Sequence, residues 1–588
     1  MAEVSVAILG AGPAGLAAAH ELTRKGVRTL LVERNRQEGG IARTEVYRDF
    51  CFDLGGHRFF TKIDRIQRLW EELLGGDLIS VARLSRIYFR GRFFNYPLSP
   101  LNTVLNLGPI ESARILLSYL RVKLRPSREE KTFEQWVSNR FGRRLYEVFF
   151  KTYTEKVWGI PCSEIQADWA AQRIQGLSLV AAVANAVFGR RGAKSLIDRF
   201  DYPVRGPGMM CRRLREAIEA GGGEFRFATE VAGLEHRGGR VRSVFLKRGP
   251  EREAVAVDHL ISTIPLHRLV ELLVPPAPPD VLQAARRLTY RAFMMVGLIV
   301  HRRHLFDDQW IYIHSPEVQV GRIQNFKNWS AAMVPDPERT GIGMEYFCSE
   351  GDALWSLPDP EIRALAIREL AQLGLADPDA VEDGFVIRQP SAYPIYDEGY
   401  RERVERLRKF LGGLANVEPA GRAGLHRYNN MDHSMYTGIL AAENVLGARH
   451  NVWRVNEEKA FLEEIKKSEL TPDLAQTVLV RSIARMDKLA LAVAVGIVAG
   501  LAAFGATLAL VLKGGDVIGP NLELLSQYFW GYTVTVEGAF LALGYGLAAG
   551  AVSGWLLAYL RNLILGFYVW RGRKRAGALT IMDFLDQL

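Results

Sequence analysis

The chain is poor in cysteine. Four occur in 588 residues, Cys51, Cys162, Cys211 and Cys348, and no two form a C-x-x-C pair. That spacing argues against a zinc site or a disulfide framework, and makes reduced, cytosol-facing thiols the expectation. No metal-ligand motif and no hydrolase triad pattern is present, so no metal site is expected. The N-terminus has no secretory pattern, because its apolar run from Val4 to Leu9 is short and leads straight into glycines. The formal charge of +10 lacks the interleaved basic and aromatic residues of a nucleic-acid groove, so no nucleic-acid partner is expected. What the chain does have is length and apolar content. Hydrophobic residues make up 48% and charged residues 24%, which suits a globular protein with more than one folded unit.

Uncharged runs of about 20 residues or more are missing until late in the chain, and then two appear. Leu489 to Leu512 carries no charge; as a helix it would reach roughly 36 Å, enough to cross a hydrocarbon core of about 30 Å. Gly538 to Leu560 is the second, and apolar character resumes after Arg561 up to Trp570. Arg481, Arg485 and Lys488 precede the first run, and Arg571-Gly572-Arg573-Lys574-Arg575 follows the second. Between them stand Lys513, Asp516, Glu523 and Glu537. The positive-inside tendency makes this a transmembrane hairpin with both ends and the large N-terminal part on the cytoplasmic side of an inner, cytoplasmic membrane. The basic cluster suits an anionic membrane surface. Asn456 to Lys488 reads as a helical linker, able to lie along that surface.

At the other end, Val4 to Leu9 reads as a fully buried strand, Gly10-Ala11-Gly12-Pro13-Ala14-Gly15 as a turn, Leu16 to Lys25 as a helix, and Val27 to Val32 as a second strand ending at Glu33-Arg34. Gly10 permits the tight turn, Gly12 lets a pyrophosphate approach the backbone, and Gly15 lets the helix pack on the strand. The helix N-terminus, with Pro13 and Ala14, faces the phosphates, and Glu33 is placed to accept from a ribose. This is a dinucleotide-binding pattern.

The next loop, Gly39-Gly40-Ile41-Ala42-Arg43-Thr44, resembles the second loop of the glutathione-reductase-type FAD family, which includes amine oxidases, protoporphyrinogen oxidases, phytoene desaturases and UDP-galactopyranose mutases. Phe52-Asp53-Leu54-Gly55-Gly56-His57 is similar to the mutase branch, whose members carry a histidine at the position of His57. Gly421-Arg422-Ala423-Gly424, Tyr428 and Asn430-Met431-Asp432-His433-Ser434 resemble the same branch's C-terminal motif. So do Tyr202 to Gly208, the run Gly321-Arg322-Ile323-Gln324-Asn325 with Asn328-Trp329-Ser330, and Ser391-Ala392-Tyr393-Pro394-Ile395. The resemblance spans about residues 1 to 450 and stops before the apolar hairpin, which the soluble mutases lack.

The resemblance implies an α/β fold: a Rossmann-like FAD domain (1–80, 201–270 and 385–450), a mostly helical insertion (81–200) and a sheet-containing substrate domain (271–384). The helical linker (451–487), the hairpin (488–570) and a basic tail (571–588) follow. FAD contacts fall to Gly10, Gly12, Pro13, Ala14, Gly15, Glu33, Arg34, Gly40, Ile41, Ala42, Arg43, Gly55, Gly56, His57, Val231, Gly421, Arg422, Asn430, Met431, Asp432 and Ser434. His57, Arg322, Tyr393 and Tyr428 are the catalytic candidates. Tyr88, Arg205, Arg322, Asn325, Tyr393, Arg422 and Tyr428 are the candidates for an activated sugar, since guanidinium forks suit phosphate oxygens. Trp158 suits a core position as well as a sugar or lipid wall.

The chemistry implied is a sugar mutase that interconverts pyranose and furanose forms of a nucleotide- or polyprenyl-phosphate-linked sugar through a bond to reduced flavin N5, with NAD(P)H one candidate electron donor. The alternative is a membrane-bound FAD oxidoreductase, protoporphyrinogen-oxidase-like or desaturase-like, acting on a lipophilic substrate. A third class is a membrane scaffold that holds FAD without catalysis. The identity of the sugar and its carrier, and homo-oligomer formation, stay open at this level.

Overall fold

The computed structural model describes residues 3–96, 98, 100–127, 129–167, 199–456, 487–514 and 520–585. The expected linker helix, with Arg481 and Arg485, and loop residue Asp516 lie outside these residues. The chain divides into two units, Met1–Lys466 and Lys467–Leu588.

The first unit is built on two sheets. In the eight-stranded sheet, Glu3–Leu9 runs parallel between Thr29–Val32 and Glu251–Ser262, and Glu224–Arg226 continues the parallel set beyond Thr29–Val32. Both faces of the opening strand are covered: Val6 and Ile8 enter one apolar cluster, Ala7 and Leu9 another. Burial on both faces is why this strand reads as an unbroken apolar run. Val417–Pro419 returns the chain to the same sheet beside Glu251–Ser262.

The second sheet has seven strands, in the order Val381–Pro394, Tyr290–Val300, Thr340–Cys348, Arg322–Asn325, Trp310–Ile313, Ser85–Phe89 and Arg92–Asn95. Its faces are also distinct. Phe293 and Met295 enter one cluster, Met294 and Val296 the other. Parity along each strand therefore decides which side chains share a face.

This sheet does not respect the expected boundaries. The insertion expected to be mostly helical from residue 81 opens with the hairpin Ser85–Phe89 and Arg92–Asn95, whose first strand pairs with Trp310–Ile313. Its two-residue turn has φ of 50° at Arg90 and 75° at Gly91, the left-handed pair that matches strand twist. Val381–Pro394 is one strand crossing the 384/385 boundary, and Leu78–Ala82 pairs with Arg199–Pro203 across two more. Helices do follow, at Pro100–Leu107, Pro109–Leu124, Phe133–Phe141 and Thr152–Trp158.

The second unit contains two helices long and apolar enough to cross a membrane, Lys488–Lys513 and the Val536–Leu563 part of Val536–Leu585. They pack through glycine. A Cβ on Gly546 would lie 2.7 Å from Gly500 Cα, and one on Gly554 would lie 2.6 Å from the Leu491 carbonyl oxygen. Small residues let two backbones approach where the apolar medium supplies no other drive. Thr507 Oγ1 and Tyr532 Oη are 2.9 Å apart, and Lys488 Nζ lies over the rings of Trp555 and Tyr559.

Candidate functional site

The glycine loop between Leu9 and Pro13 opens a cleft of about 440 Å³, within the range of organic-ligand pockets of about 300–1,000 Å³. Each loop glycine has its own geometric reason. Gly10 has φ of 97°, and a Cβ there would meet Thr263 Oγ1 at 2.5 Å. A Cβ on Gly15 would lie 2.0 Å from the Gly10 carbonyl oxygen, so only glycine lets the helix Pro13–Thr23 come this close. A Cβ on Gly12 would meet only Gly40 Cα, at 3.9 Å, which leaves the backbone open for phosphate.

Glu33, Arg34 and Val231 line one end of the cleft; Pro13, Ala14, Gly40, Ile41 and Ala42 line its middle; His57, Gly421, Arg422, Met431 and Ser434 line the other end. Glu33 is already engaged. Its Oε2 accepts the Ala11 N–H at 2.9 Å, and its Oε1 accepts from Asn35 N and Nδ2 at 2.9 and 2.7 Å. A carboxylate offers about four acceptor directions, so room for one ribose hydroxyl remains. Arg43 does not line the cleft. It is buried, paired with Glu45 at 2.6 Å, and donates to the Gly40 carbonyl and Gln389 Oε1 at 2.8 Å each, bracing the second loop against the distant strand Val381–Pro394.

The C-terminal motif meets the N-terminal loop directly. Gly421, with φ of 81°, sits where a Cβ would be 3.0 Å from Ala14 Cβ, and its N–H donates to Thr437 Oγ1 at 2.9 Å. A Cβ on Gly438 would lie 2.0 Å from the Ala14 carbonyl oxygen. The helix Met431–Val445 thus packs on Pro13–Thr23 and opens its N-terminus, capped by extended Asn430, at the cleft. Asp432 is buried beside His433, 3.0 Å from its Nδ1, rather than on the cleft wall.

His57 Nδ1 stands 3.0 Å from the Gly55 carbonyl oxygen. Burial first, then the Arg422 and Arg322 guanidiniums, push its pKa down to about 3 against that hydrogen bond. The ring is therefore neutral at pH 7. Because a carbonyl only accepts, the proton belongs on Nδ1, which leaves Nε2 as an acceptor. Gly56 abuts the substrate side: a Cβ there would stand 3.5 Å from Arg322 Nη1 and 3.6 Å from Gln324 Oε1.

Beyond His57 lies an aromatic and cationic wall. Tyr393 and Tyr428 stack with centroids 5.6 Å apart, and Arg422 lies over both rings, at 5.4 and 4.8 Å. Arg422 Nε donates to the Asn429 carbonyl at 2.9 Å. Arg322 Nη2 is 3.7 Å from Glu345 Oε2, and Gln324 Nε2 donates to Glu345 Oε1 at 2.6 Å. Burial raises the Glu345 pKa, while Arg322 and Gln324 work against that rise; Arg322 itself is held well above its ordinary value by Glu345 despite desolvation. Arg322 Nε, Gln324 Oε1 and Glu345 Oε2 are buried without a hydrogen-bond partner among the described residues. Burial raises the Tyr393 and Tyr153 hydroxyls, the Arg322 charge opposing it in both, so both stay protonated donors.

Three expected substrate contacts do not join this wall. Tyr88 is opposite Ile313 in register and points to the other face, into the cluster with Met294, Ile311 and Ile323. Asn325 is one residue out of phase with Arg322 and Gln324, and its Nδ2 donates to the Phe306 carbonyl at 3.2 Å. Strand alternation is the reason in both cases. Arg205 is exposed, with Nη2 3.7 Å from Cys51 Sγ, and does not line the cleft. Trp158 is buried among Tyr393, Tyr396 and Tyr428. Sequence reasoning missed Gln324, Glu345, Gln389 and Thr263, whereas Tyr153 stands in an aromatic run read as a wall for sugar or lipid. Period-two spacing from Arg322 pointed to Gln324; Glu345 had no local signal, because only strand pairing sets it opposite Arg322.

A family model described as flavin containing amine oxidoreductase matches residues 13–446. A Klebsiella pneumoniae protein named as a probable UDP-galactopyranose mutase is 28% identical over 174 residues, which are 28% of this chain and 43% of that protein, so the match spans less than half of that relative. Among solved structures, a reduced UDP-galactopyranose mutase superposes with a TM-score of 0.67 at 24% identity, covering 78% of this chain and 99% of that one. A protein from Exiguobacterium sp. 255-15, provisionally assigned as a protoporphyrinogen oxidase, superposes with a TM-score of 0.58 at 19% identity, covering 76% of this chain and all of that one. At these identities the superpositions establish the fold.

Proposed function

The chain belongs to the flavin containing amine oxidoreductase family, and from that membership we propose that it is an FAD-dependent mutase interconverting the pyranose and furanose forms of an activated sugar. The cleft fits FAD on its own geometry. Gly12 and Gly40 leave backbone open where the diphosphate passes, the N-terminus of Pro13–Thr23 faces it, and Glu33 keeps acceptor capacity at the ribose end. When bound in its reduced form, FAD supplies a nucleophilic nitrogen, N5, for the anomeric carbon as phosphate departs.

One observation carries the reading: two guanidiniums, Arg322 and Arg422, flank neutral His57 beside the stacked Tyr393–Tyr428 pair, at the end of the cleft away from Glu33. Fixed cations suit a phosphoryl leaving group held close and recaptured. Tyr393 and Tyr153, held protonated, bind sugar and phosphate oxygens without competing as bases. His57 Nε2 accepts one hydrogen bond at the cleft, and the N-terminus of Met431–Val445 stabilises negative charge on a reduced ring. The apolar helices support a membrane hairpin with the catalytic unit on the cytoplasmic side, which favours a polyprenyl-linked sugar over a soluble nucleotide sugar. NAD(P)H is one candidate electron donor.

The test is hydride trapping of the reduced enzyme with candidate activated sugars, followed by mass spectrometry of the released flavin. Flavin carrying the mass of the sugar, with no net electron transfer, is the expected result. Stoichiometric oxidation of a lipophilic substrate with unmodified flavin would overturn the proposal in favour of an oxidoreductase.

A further inference from the structure

The helix Pro109–Leu124 is packed on one side and, among the described residues, uncovered on the other. Ile115 and Tyr119 are buried, and Gly142 sits so tightly beneath that a Cβ would lie 2.8 Å from the Tyr119 nitrogen. Arg144 pairs with Glu111 and fixes the helix to the rest of the unit. The opposite side exposes Ile110 (72%), Leu116 (52%), Leu117 (66%), Leu120 (48%) and Leu124 (83%), and the preceding helix Pro100–Leu107 adds Val104 and Leu105 (69%).

At about 100° per residue, these five positions of the longer helix cover about a third of its circumference without a charge. Basic residues border that arc on both sides: Arg114, Arg121 and Arg125 on one, Lys123 on the other, all exposed. Glu111, the acidic residue of this helix, points inward to Arg144. A solvent-facing helix would carry polar residues there, and a core helix would be covered.

We propose that this face docks into an anionic lipid bilayer, lying in the interface with Ile110, Leu117, Leu120 and Leu124 among the acyl chains and the flanking guanidinium and ammonium groups at the phosphates. An apolar arc edged by Lys and Arg is the composition of an interfacial helix, whose long basic side chains reach outward while their stems stay apolar. The charge bias selects lipid over a neutral protein groove. The second unit of the same chain, with its two membrane-length helices, delivers the face to a bilayer at high effective concentration. The proposal is independent of the sugar chemistry and rests on the hairpin alone.

All four native cysteines are buried, so single exposed cysteines can be labelled in the full-length holoenzyme. Leu117→Cys and Leu120→Cys carry an environment-sensitive fluorophore, with Glu338→Cys as an exposed control, in nanodiscs holding one copy each. The expected result is blue-shifted emission at both leucine positions and at least about twofold quenching by nitroxide-headgroup or shallow-chain lipids, with neither at the control. Water-like emission from protein retained by the discs would overturn the docking and leave the hairpin standing. Burial seen only in crowded proteoliposomes identifies a second copy as the occupant and also overturns it. Protein that the discs fail to retain removes the hairpin and the docking together.

Discussion

The two ends of the cleft are built by different means. At the Glu33 end the site is built from backbone: glycines without Cβ atoms, the N-terminus of Pro13–Thr23, and a carboxylate that already holds the loop through Ala11 and Asn35. At the Arg322 end it is made by side chains from strands and helices far apart in sequence, whose charges are buried and only partly satisfied. The first kind of site tolerates almost no added atom. The second tolerates shape change but is sensitive to charge.

Gly15→Val tests the backbone end and carries the largest expected effect. A Cβ 2.0 Å from the Gly10 carbonyl must separate helix from strand. We expect a loss of about 3 kcal/mol or more in stability, with protein purified nearly free of flavin. Measured flavin absorbance per protein, together with thermal unfolding, decides it. Stoichiometric flavin in this variant would show that the loop is not the cradle.

Arg322→Met tests the side-chain end. It leaves Glu345 buried without its cation, a change that costs about 3–5 kcal/mol in comparable sites, while flavin stays bound because Arg322 does not line the cleft. Adding Glu345→Gln should recover part of the stability but none of the turnover. If the double variant is no more stable than the single, the 3.7 Å pair is not a coupled unit and the contrast between the two ends weakens.

Those contrasting constructions explain what the sequence disclosed. The glycine loop, the second loop and the Gly421 to Ser434 run are contiguous, and each glycine's reason is local or lies against one neighbouring backbone. They were legible residue by residue. The Arg322 wall required knowing which residue faces which way and which strands pair. Short motifs point to Arg322 and Tyr393, whereas strand parity turns Tyr88 and Asn325 to the opposite face and Glu345 carries no local signal. Arg43 shows a subtler limit: its motif position was informative, but its side chain braces the loop through Gln389 rather than reaching the cleft.

Acid sharpens the comparison at intermediate cost. Burial drives the pKa of His314 down to about 3, helped by Lys156, and His314 stacks on Tyr153 at 4.7 Å. A histidine depressed on folding takes up a proton more readily when unfolded, so its contribution is complete above about pH 6.5 and is lost as pH falls toward 3, at up to about 1.4 kcal/mol per pH unit. Asp53, raised to about 7 by burial, has the opposite sign, since folding holds its proton and stability falls as pH rises from 3.8 toward 7. Comparing wild type with His314→Phe cancels Asp53. The variant should lose stability less steeply between pH 6.5 and 4 in urea titrations. Equal slopes would mean that the ring is not buried neutral. His57, neutral for the same reason, should give kcat no ionisation between pH 5 and 8.

The smallest expected effect is the one that best separates face from proximity in sequence. Tyr88→Phe removes a hydroxyl on the far face of the seven-stranded sheet, while Tyr153→Phe removes one that interacts with the Arg322 guanidinium. If parity governs the wall, Tyr88→Phe leaves kcat/KM within about twofold and stability within about 0.5 kcal/mol, whereas Tyr153→Phe loses at least about tenfold in kcat/KM through a raised KM. Steady-state kinetics on the trapped-adduct substrate measures both. A reversed order would mean that the substrate approaches across the opposite face, and that Arg322 is a structural cation of the sheet rather than part of the site. The pairing register argues against that outcome, because Tyr312 and Glu345, the partners of Arg322 on either side, lie on one face with it, and the Arg322 guanidinium sits 5.8 Å from the Tyr312 ring.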